Sequence, residues 1–273
     1  MERTSSTQVV DRVVAILEVI ASAGAEGCLL KEIIEALGLK RATAYRLVDS
    51  LRSHGLVRVS PDGHRFLIGY RFLSLGGQAS ATSTLSEIAR PSLLRLASEF
   101  GDTFFVFAHD GYENVCLDYR EGNYPTTSYA RGVGGRVPLG VGQAAIAVLS
   151  HLPEGERDEI IAHNRDILTG AYGLDIEKLQ REVIDCRERG YTLGICSTRI
   201  PDHTGIGIPI FDNRKRVVGA ISCSILVGRF VAEKRNRMIV AMRSETQIIE
   251  KQINPLDPFL TGPIRQRLAA RAG

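Results

Sequence analysis

Residues 39–69, "LKRATAYRLVDSLRSHGLVRVSPDGHRFLIG", leave this part of the chain few ways to fold. Ala44, Leu47, Val48 and Leu51 recur at helical spacing and predict one apolar face, with Gly55 as the stop. Two short β-rich runs, 56–59 and 65–68, then flank Ser-Pro-Asp-Gly-His. Proline presets φ and glycine accepts positive φ, so this is a hairpin signal with a physical basis. Upstream, Val9, Val13, Ile16, Leu17 and Ile20 predict a helix that stops near Gly24, and "LLKEIIEALGL" predicts a shorter one closed by Gly38. Helix, helix, tight turn, helix, hairpin is the order of a winged helix-turn-helix, assigned here to residues 1–70.

The third helix carries charges that a buried element would not need. Around its wheel Ala42, Arg46, Asp49 and Ser53 point away from the stripe, and Thr43 and Tyr45 flank it. Its first turn therefore offers Lys40, Arg41, Thr43, Tyr45 and Arg46 to solvent. Residues 40–65 hold six cations (Lys40, Arg41, Arg46, Arg52, Arg58, Arg65) against two acids (Asp49, Asp62), a net +4. Residues 1–39 hold three cations against six acids, a net −3. That polarity suits a duplex. A guanidinium forks onto guanine, and hydroxyls, lysine and free helix amides suit phosphate. At the hairpin tip His64 and Arg65 are expected to reach phosphate. An exposed charged face, or a winged module that binds protein rather than DNA, is the competing reading.

Beyond residue 70 the texture changes. "YRFLSLGGQASATSTLSEIAR" is rich in small and hydroxyl residues and reads as a connector, with a linker helix over 71–90 and Pro91 in the first turn of a helix ending near Phe100. Strands and helices then alternate: strands at "TFFVFAH", "NVCLDYRE", "YTLGICS", "GIGIPIF" and "RVVGAISCSIL", and helices at 141–152, 154–164, 176–190 and 231–253. Short turns such as "DGYE" and "DNRK" favour a mainly antiparallel sheet with helical cover. The expected fold class is α+β in two domains, with an α/β domain over 91–256 and a tail at 257–273.

The composition limits the function classes. A chain of 273 residues with a net charge of +3 neither demands nor excludes a polyanionic partner. The N-terminus lacks a secretion-signal stretch and no apolar run approaches the ~18 residues of a membrane span. The five cysteines are odd in number and scattered. Both observations suggest a reducing, cytoplasmic setting without a membrane partner. The six histidines show no metal-ligand spacing, and neither Gly-x-Ser-x-Gly nor a phosphate-binding loop occurs, so no enzyme, cofactor or metal site is expected. A thiol- or metal-based sensor using Cys116, Cys196 or Cys223 stands as an alternative.

Four blocks, in order, carry a resemblance. "LKRATAYRLVDSLRSHGLV", "ARPSLLRLASEFGDTFFVFAHDGYENVCLDYREG", "GVGGRVPLGVGQAAIAVLSHLP" and "GIGIPIFDNRKRVVGAISCSI" are similar to the IclR (isocitrate-lyase-regulator) family of bacterial transcription factors. The resemblance implies a winged helix-turn-helix, a linker helix and a GAF-like effector-binding domain. It also implies dimers or tetramers on pseudo-palindromic double-stranded DNA operators, with binding tuned by a small organic effector, often an acid. Gln143 stands where many members have lysine.

The residues themselves suggest where a ligand would sit. Alternation along "GAISCSI" puts Ala220, Ser222 and Ser224 on one face and Ile221, Cys223 and Ile225 on the other. The two hydroxyls suit a carboxylate or hydroxyl ligand, and the resemblance implies that the matching serines contact effector. "PLGVGQAA" runs a loop into a helix start. Gly140, Val141 and Gly142 would bring amides to an anion, with Leu139 as an apolar wall. Gly205, Ile206 and Gly207 would let backbone approach the ligand, and Arg131, Arg136 and Arg199 are candidate counter-charges.

Overall fold

The computed structural model describes residues 5–81, 84–126, 128–130, 132–194, 200 and 202–254. The chain divides into two compact units, Met1–Thr82 and Ser83–Gly273.

The first unit consists of α1 (Ser5–Ser22), α2 (Leu30–Leu37), α3 (Arg41–Ser53), the antiparallel pair β1 (Val57–Val59) and β2 (Phe66–Ile68), and α4 (Arg71–Ala81). Its core is Ile16, Ile20, Cys28, Ile33, Val48, Leu51 and Val57. The apolar stripe of α3 thus lands where its spacing puts it, each buried Val or Leu contributing about 1.5–3 kcal/mol. Gly38, at φ 61°, closes α2 with its amide on the carbonyl of Ile34. The hairpin is tied to the helices on its inner edge: Cys28 and Phe66 exchange backbone hydrogen bonds of 3.0 and 2.8 Å. At its base Gly69 lies so close to Gly55 that an ideal Cβ would fall 2.1 Å from that carbonyl oxygen.

The second unit opens with α5 (Thr84–Phe100) and closes with α9 (Ala232–Gln252). Between them lie β3 (Thr103–Asp110), β4 (Glu113–Arg120), β5 (Arg136–Pro138), α6 (Gly142–His151), α7 (Glu154–Asp166), α8 (Ile176–Arg189), β6 (Thr192–Leu193), β7 (His203–Thr204), β8 (Ile206–Phe211) and β9 (Val217–Leu226). The sheet order is β5-β4-β3-β9-β8-β6, with β7 also paired to β9, and every pairing is antiparallel. Helices cover both faces. One face packs Phe105, Phe107, Cys116 and Ala220 against α6, α7 and α8. The other packs Phe104, Val106, Ile208, Ile221 and Ile225 against α5 and α9. Along β3 and β9 neighbouring residues divide between the two cores, as a period of two requires.

Three expectations about local structure need correction. Pro91 lies inside α5 rather than in its first turn. The apolar face Leu85, Ala89, Leu93, Leu96 and Ala97 is continuous through the proline, and its burial outweighs one missing amide bond. The stretch 71–90 therefore carries parts of two helices, α4 in the first unit and the start of α5 in the second. Strand structure in "YTLGICS" is limited to Thr192–Leu193, and residues 195–199 lie outside the described residues.

Candidate functional site

The mouth of α3 is a solvent-facing cationic surface. Lys40 sits at the N-cap in extended backbone, and no side chain caps the helix. Lys40, Arg41, Tyr45 and Arg46 are exposed and Thr43 is half-buried. Among the described residues Lys40, Arg41 and Arg46 form no ion pair, whereas Arg52, further along, bonds Asp49 at 2.8 Å. Uncapped amides and unpaired cations at one helix end favour an anion.

The hairpin tip is held by its own side chains. Ser60 bonds Asp62, and the amides of Gly63 and His64 reach the carbonyl of Ser60 and the carboxylate of Asp62. Those bonds, the Ser60 hydroxyl foremost, hold the Asp62 carboxyl below its usual range. His64 is exposed. Arg65 turns inward: its Nη1 donates to the carbonyl of Gly27 at 3.0 Å and the residue is half-buried. It fastens the hairpin to the turn before α2 and does not extend from the tip. Arg58 lies over the ring of Tyr70 at 5.0 Å.

The second unit contains a cavity between the sheet and the start of α6, with about 600 Å³ of empty space counted to its open mouth. Phe105 and Phe107 of β3 and Ser222 and Ser224 of β9 form one wall. Val141, Gly142, Gln143, Ala144 and Ala145 bring the uncapped end of α6 to it. Asn114 of β4, Ser128, Tyr129, His203 and Thr204 complete the described lining, with Ala130, Val137, Ile200 and Cys223. No Lys, Arg, Asp or Glu is among these residues.

Of the residues expected around a ligand, Val141, Gly142, Ser222 and Ser224 line this cavity. Leu139, Gly140, Gly205, Ile206 and Gly207 do not; they build its frame. Leu139 is fully buried in the core beneath α6. Gly140, at φ 108°, passes between Leu168 and Leu179, each 3.1 Å from an ideal Cβ. Ile206 faces the opposite core, packed with α5 and α9. At Gly205 an ideal Cβ would fall 2.0 Å from the carbonyl oxygen of Cys223. The counter-charge expected from Arg136 is consumed, since it pairs with Asp110 and Glu113 at 2.6 Å each. Arg131 and Arg199 lie outside the described residues.

Sequence reasoning missed Asn114, Ser128, Tyr129, His203 and Thr204. Alternation along β4 does place Asn114 on the face of Cys116, but nothing local says that this face opens into a cavity at that point. It also missed Asn164, whose buried amide donates to the carbonyls of Tyr112 (2.8 Å) and Leu139 (3.2 Å), clamping the loop that enters α6. The cysteines give a thiol sensor little support. Cys28, Cys116, Cys186 and Cys223 are buried, and burial pushes the thiols of Cys116 and Cys223 up to about 12 and that of Cys186 up to about 11. Such thiols stay protonated and unreactive. Cys196 lies outside the described residues. No group of three His, Cys, Asp or Glu among the described residues is placed to hold a metal ion, and no described helix is long and apolar enough to cross a membrane.

Residues 9–61 match the family model described as "IclR helix-turn-helix domain", and residues 78–251 match "Bacterial transcriptional regulator IclR C-terminal". The chain belongs to the IclR family. IclR-family proteins are DNA-binding transcriptional regulators, and the basic helix mouth lies within the matched helix-turn-helix segment. The HTH-type transcriptional regulator KipR of Bacillus subtilis (strain 168) is 28% identical over 207 residues, covering 75% of this chain and 81% of KipR. The crystal structure of an IclR regulator from Alicyclobacillus acidocaldarius shares the fold with a TM-score of 0.74 at 19% identity, over 89% of this chain and 98% of that one. An IclR homologue from Microbacterium hydrocarbonoxydans, complexed with 4-hydroxybenzoate, shares it with a TM-score of 0.71 at 22% identity, over 89% and 98%.

Proposed function

We propose that this IclR-family regulator reads its operator with the first turn of α3 and is controlled by a small organic effector, a carboxylate or aromatic acid, in the α6 cavity. The observation that carries the reading is the coincidence of unpaired Lys40, Arg41 and Arg46 with uncapped amides at one helix mouth. Lys40, Arg41 and the helix amides contact phosphates; Arg46, with Thr43 and Tyr45, reads base edges. His64 meets the backbone from the hairpin tip, and Arg65 positions that tip. The effector's polar groups bond Ser222, Ser224 and the start of α6, while Phe105 and Phe107 pack on its apolar part. The complex of the Microbacterium homologue with 4-hydroxybenzoate supports an aromatic acid as the first probe. Occupancy favours one conformational state over another and changes DNA affinity through a coupling of about 1–3 kcal/mol.

The assembly is a dimer or tetramer on a pseudo-palindromic operator, with half-sites about one helical turn apart. Exposed Val10 and Val14, one turn apart on α1, and Leu73 on α4 give the first unit apolar surface suited to self-association. The test is a gel shift on DNA flanking the protein's own gene, across a salt series and with 4-hydroxybenzoate. Log affinity is expected to fall linearly with log salt, by about 0.9 per neutralised phosphate. A flat salt response would favour the protein-binding alternative.

A further inference from the structure

Asn114 is fully buried, yet among the described residues neither its Nδ2 nor its Oδ1 has a hydrogen-bond partner. It sits on β4 opposite His109 of β3 and Val137 of β5 and is one of the residues that line the cavity. A buried amide left without partners carries a desolvation cost that apolar residues of the same shape avoid. A position that keeps such a group inside a cavity is suited to hold something other than the fold. The Ser128 Oγ, also buried and without a partner among the described residues, lines the same cavity.

The chemistry of the amide limits what it binds. It presents an N–H donor and a carbonyl acceptor side by side, and no Lys, Arg, Asp or Glu lies among the described lining residues. A carboxylate is acceptor-only and would set one oxygen against the Oδ1. A carboxamide, or the lactam edge of a ring, answers both atoms at once. We propose that Asn114 is the specificity-determining residue of the effector cavity and selects a ligand with a carboxamide-like donor–acceptor group at one end and an aromatic ring to pack on Phe105 and Phe107. The ligand's acidic end, if it has one, is directed to the uncapped start of α6. This assignment rests on the ligand-cavity reading above.

The test uses the full-length protein and three para-substituted benzoates that differ only at the far end: 4-carbamoylbenzoate, terephthalate and 4-methylbenzoate. Calorimetry should rank the carbamoyl compound at least about tenfold tighter than the other two, because a site built to hydrogen-bond a group rejects analogues lacking it. In Asn114→Leu and Asn114→Ala the carbamoyl preference should vanish while 4-methylbenzoate binds as before or better. Ligand-free Asn114→Leu should melt above the parent, since an unpartnered polar group is exchanged for an apolar one. Absence of binding by all three compounds, no carbamoyl preference, a preference that survives both substitutions, or a lower melting temperature for Asn114→Leu would each overturn the assignment. Ser222→Phe, which fills the cavity, separates the two levels. Carbamoyl binding that survives it removes the cavity reading itself. Binding lost in Ser222→Phe but unchanged in both Asn114 variants removes only the role of Asn114.

Discussion

Gly207 meets Gln143 at a distance that admits no side chain: an ideal Cβ on Gly207 would fall 2.3 Å from the Gln143 carbonyl oxygen. The Thr192 hydroxyl completes the joint, accepting from the Gly207 amide at 2.8 Å and donating to that same carbonyl at 3.3 Å. The start of α6 therefore rests directly on β8, and the cavity takes its shape from that seat. Gly207→Ala should lift the helix, lower stability by about 1–3 kcal/mol and weaken effector binding at least severalfold. Thermal melting and calorimetry of the variant check both effects; unchanged effector affinity in a destabilised variant would separate the seat from the site.

The proposed operator reading divides the helix mouth into contacts that position and contacts that read. Lys40→Ala should weaken binding to all duplexes alike and reduce the salt slope by about one. Arg46→Ala should cost about 1–3 kcal/mol and relax selectivity at one operator position. Competition assays on single-base operator variants distinguish the two outcomes.

Arg65 is a fastening, so its loss should register as stability before affinity. Arg65→Ala removes the bond to the Gly27 carbonyl and should cost the first unit about 1 kcal/mol, with a salt slope close to that of the parent. A stable variant whose salt slope falls by one would instead make Arg65 a phosphate contact.

Asp102 is fully buried between Arg229 and Lys234, at the start of β3. Asp102→Ala strands two cations on one side of a low-dielectric site and should destabilise the second unit by about 3 kcal/mol. Denaturant unfolding measures the loss.

Burial, aided by the charge of Arg187 and opposed by a bond to the carbonyl of Ala147, holds the pKa of His151 below its ordinary 6.5. As pH falls through about 6.5, the unfolded chain takes up a proton that the folded chain declines, so stability decreases from there down to the folded value. His151→Gln should lose less melting temperature than the parent between about pH 7.5 and 5.5. Parallel losses would show that His151 titrates normally.

The period of apolar residues is a local property, and the sequence alone therefore settled much of this fold. The stripe Ala44, Leu47, Val48, Leu51 placed Lys40, Arg41, Tyr45 and Arg46 on the solvent side of α3 because helical geometry leaves no other arrangement. Pro61-Asp62-Gly63 set the hairpin, and alternation in "GAISCSI" turned Ser222 and Ser224 to the same face. Tertiary packing decided what no local period encodes. Leu139, Gly140 and Gly207 became the frame of the cavity because α6 must seat on β8, and Arg65 turned inward because Gly27 offers a carbonyl from 38 residues away. Asn114 came to a cavity wall by the same route. Whether one face of a strand meets a helix or an open space depends on residues distant in the chain.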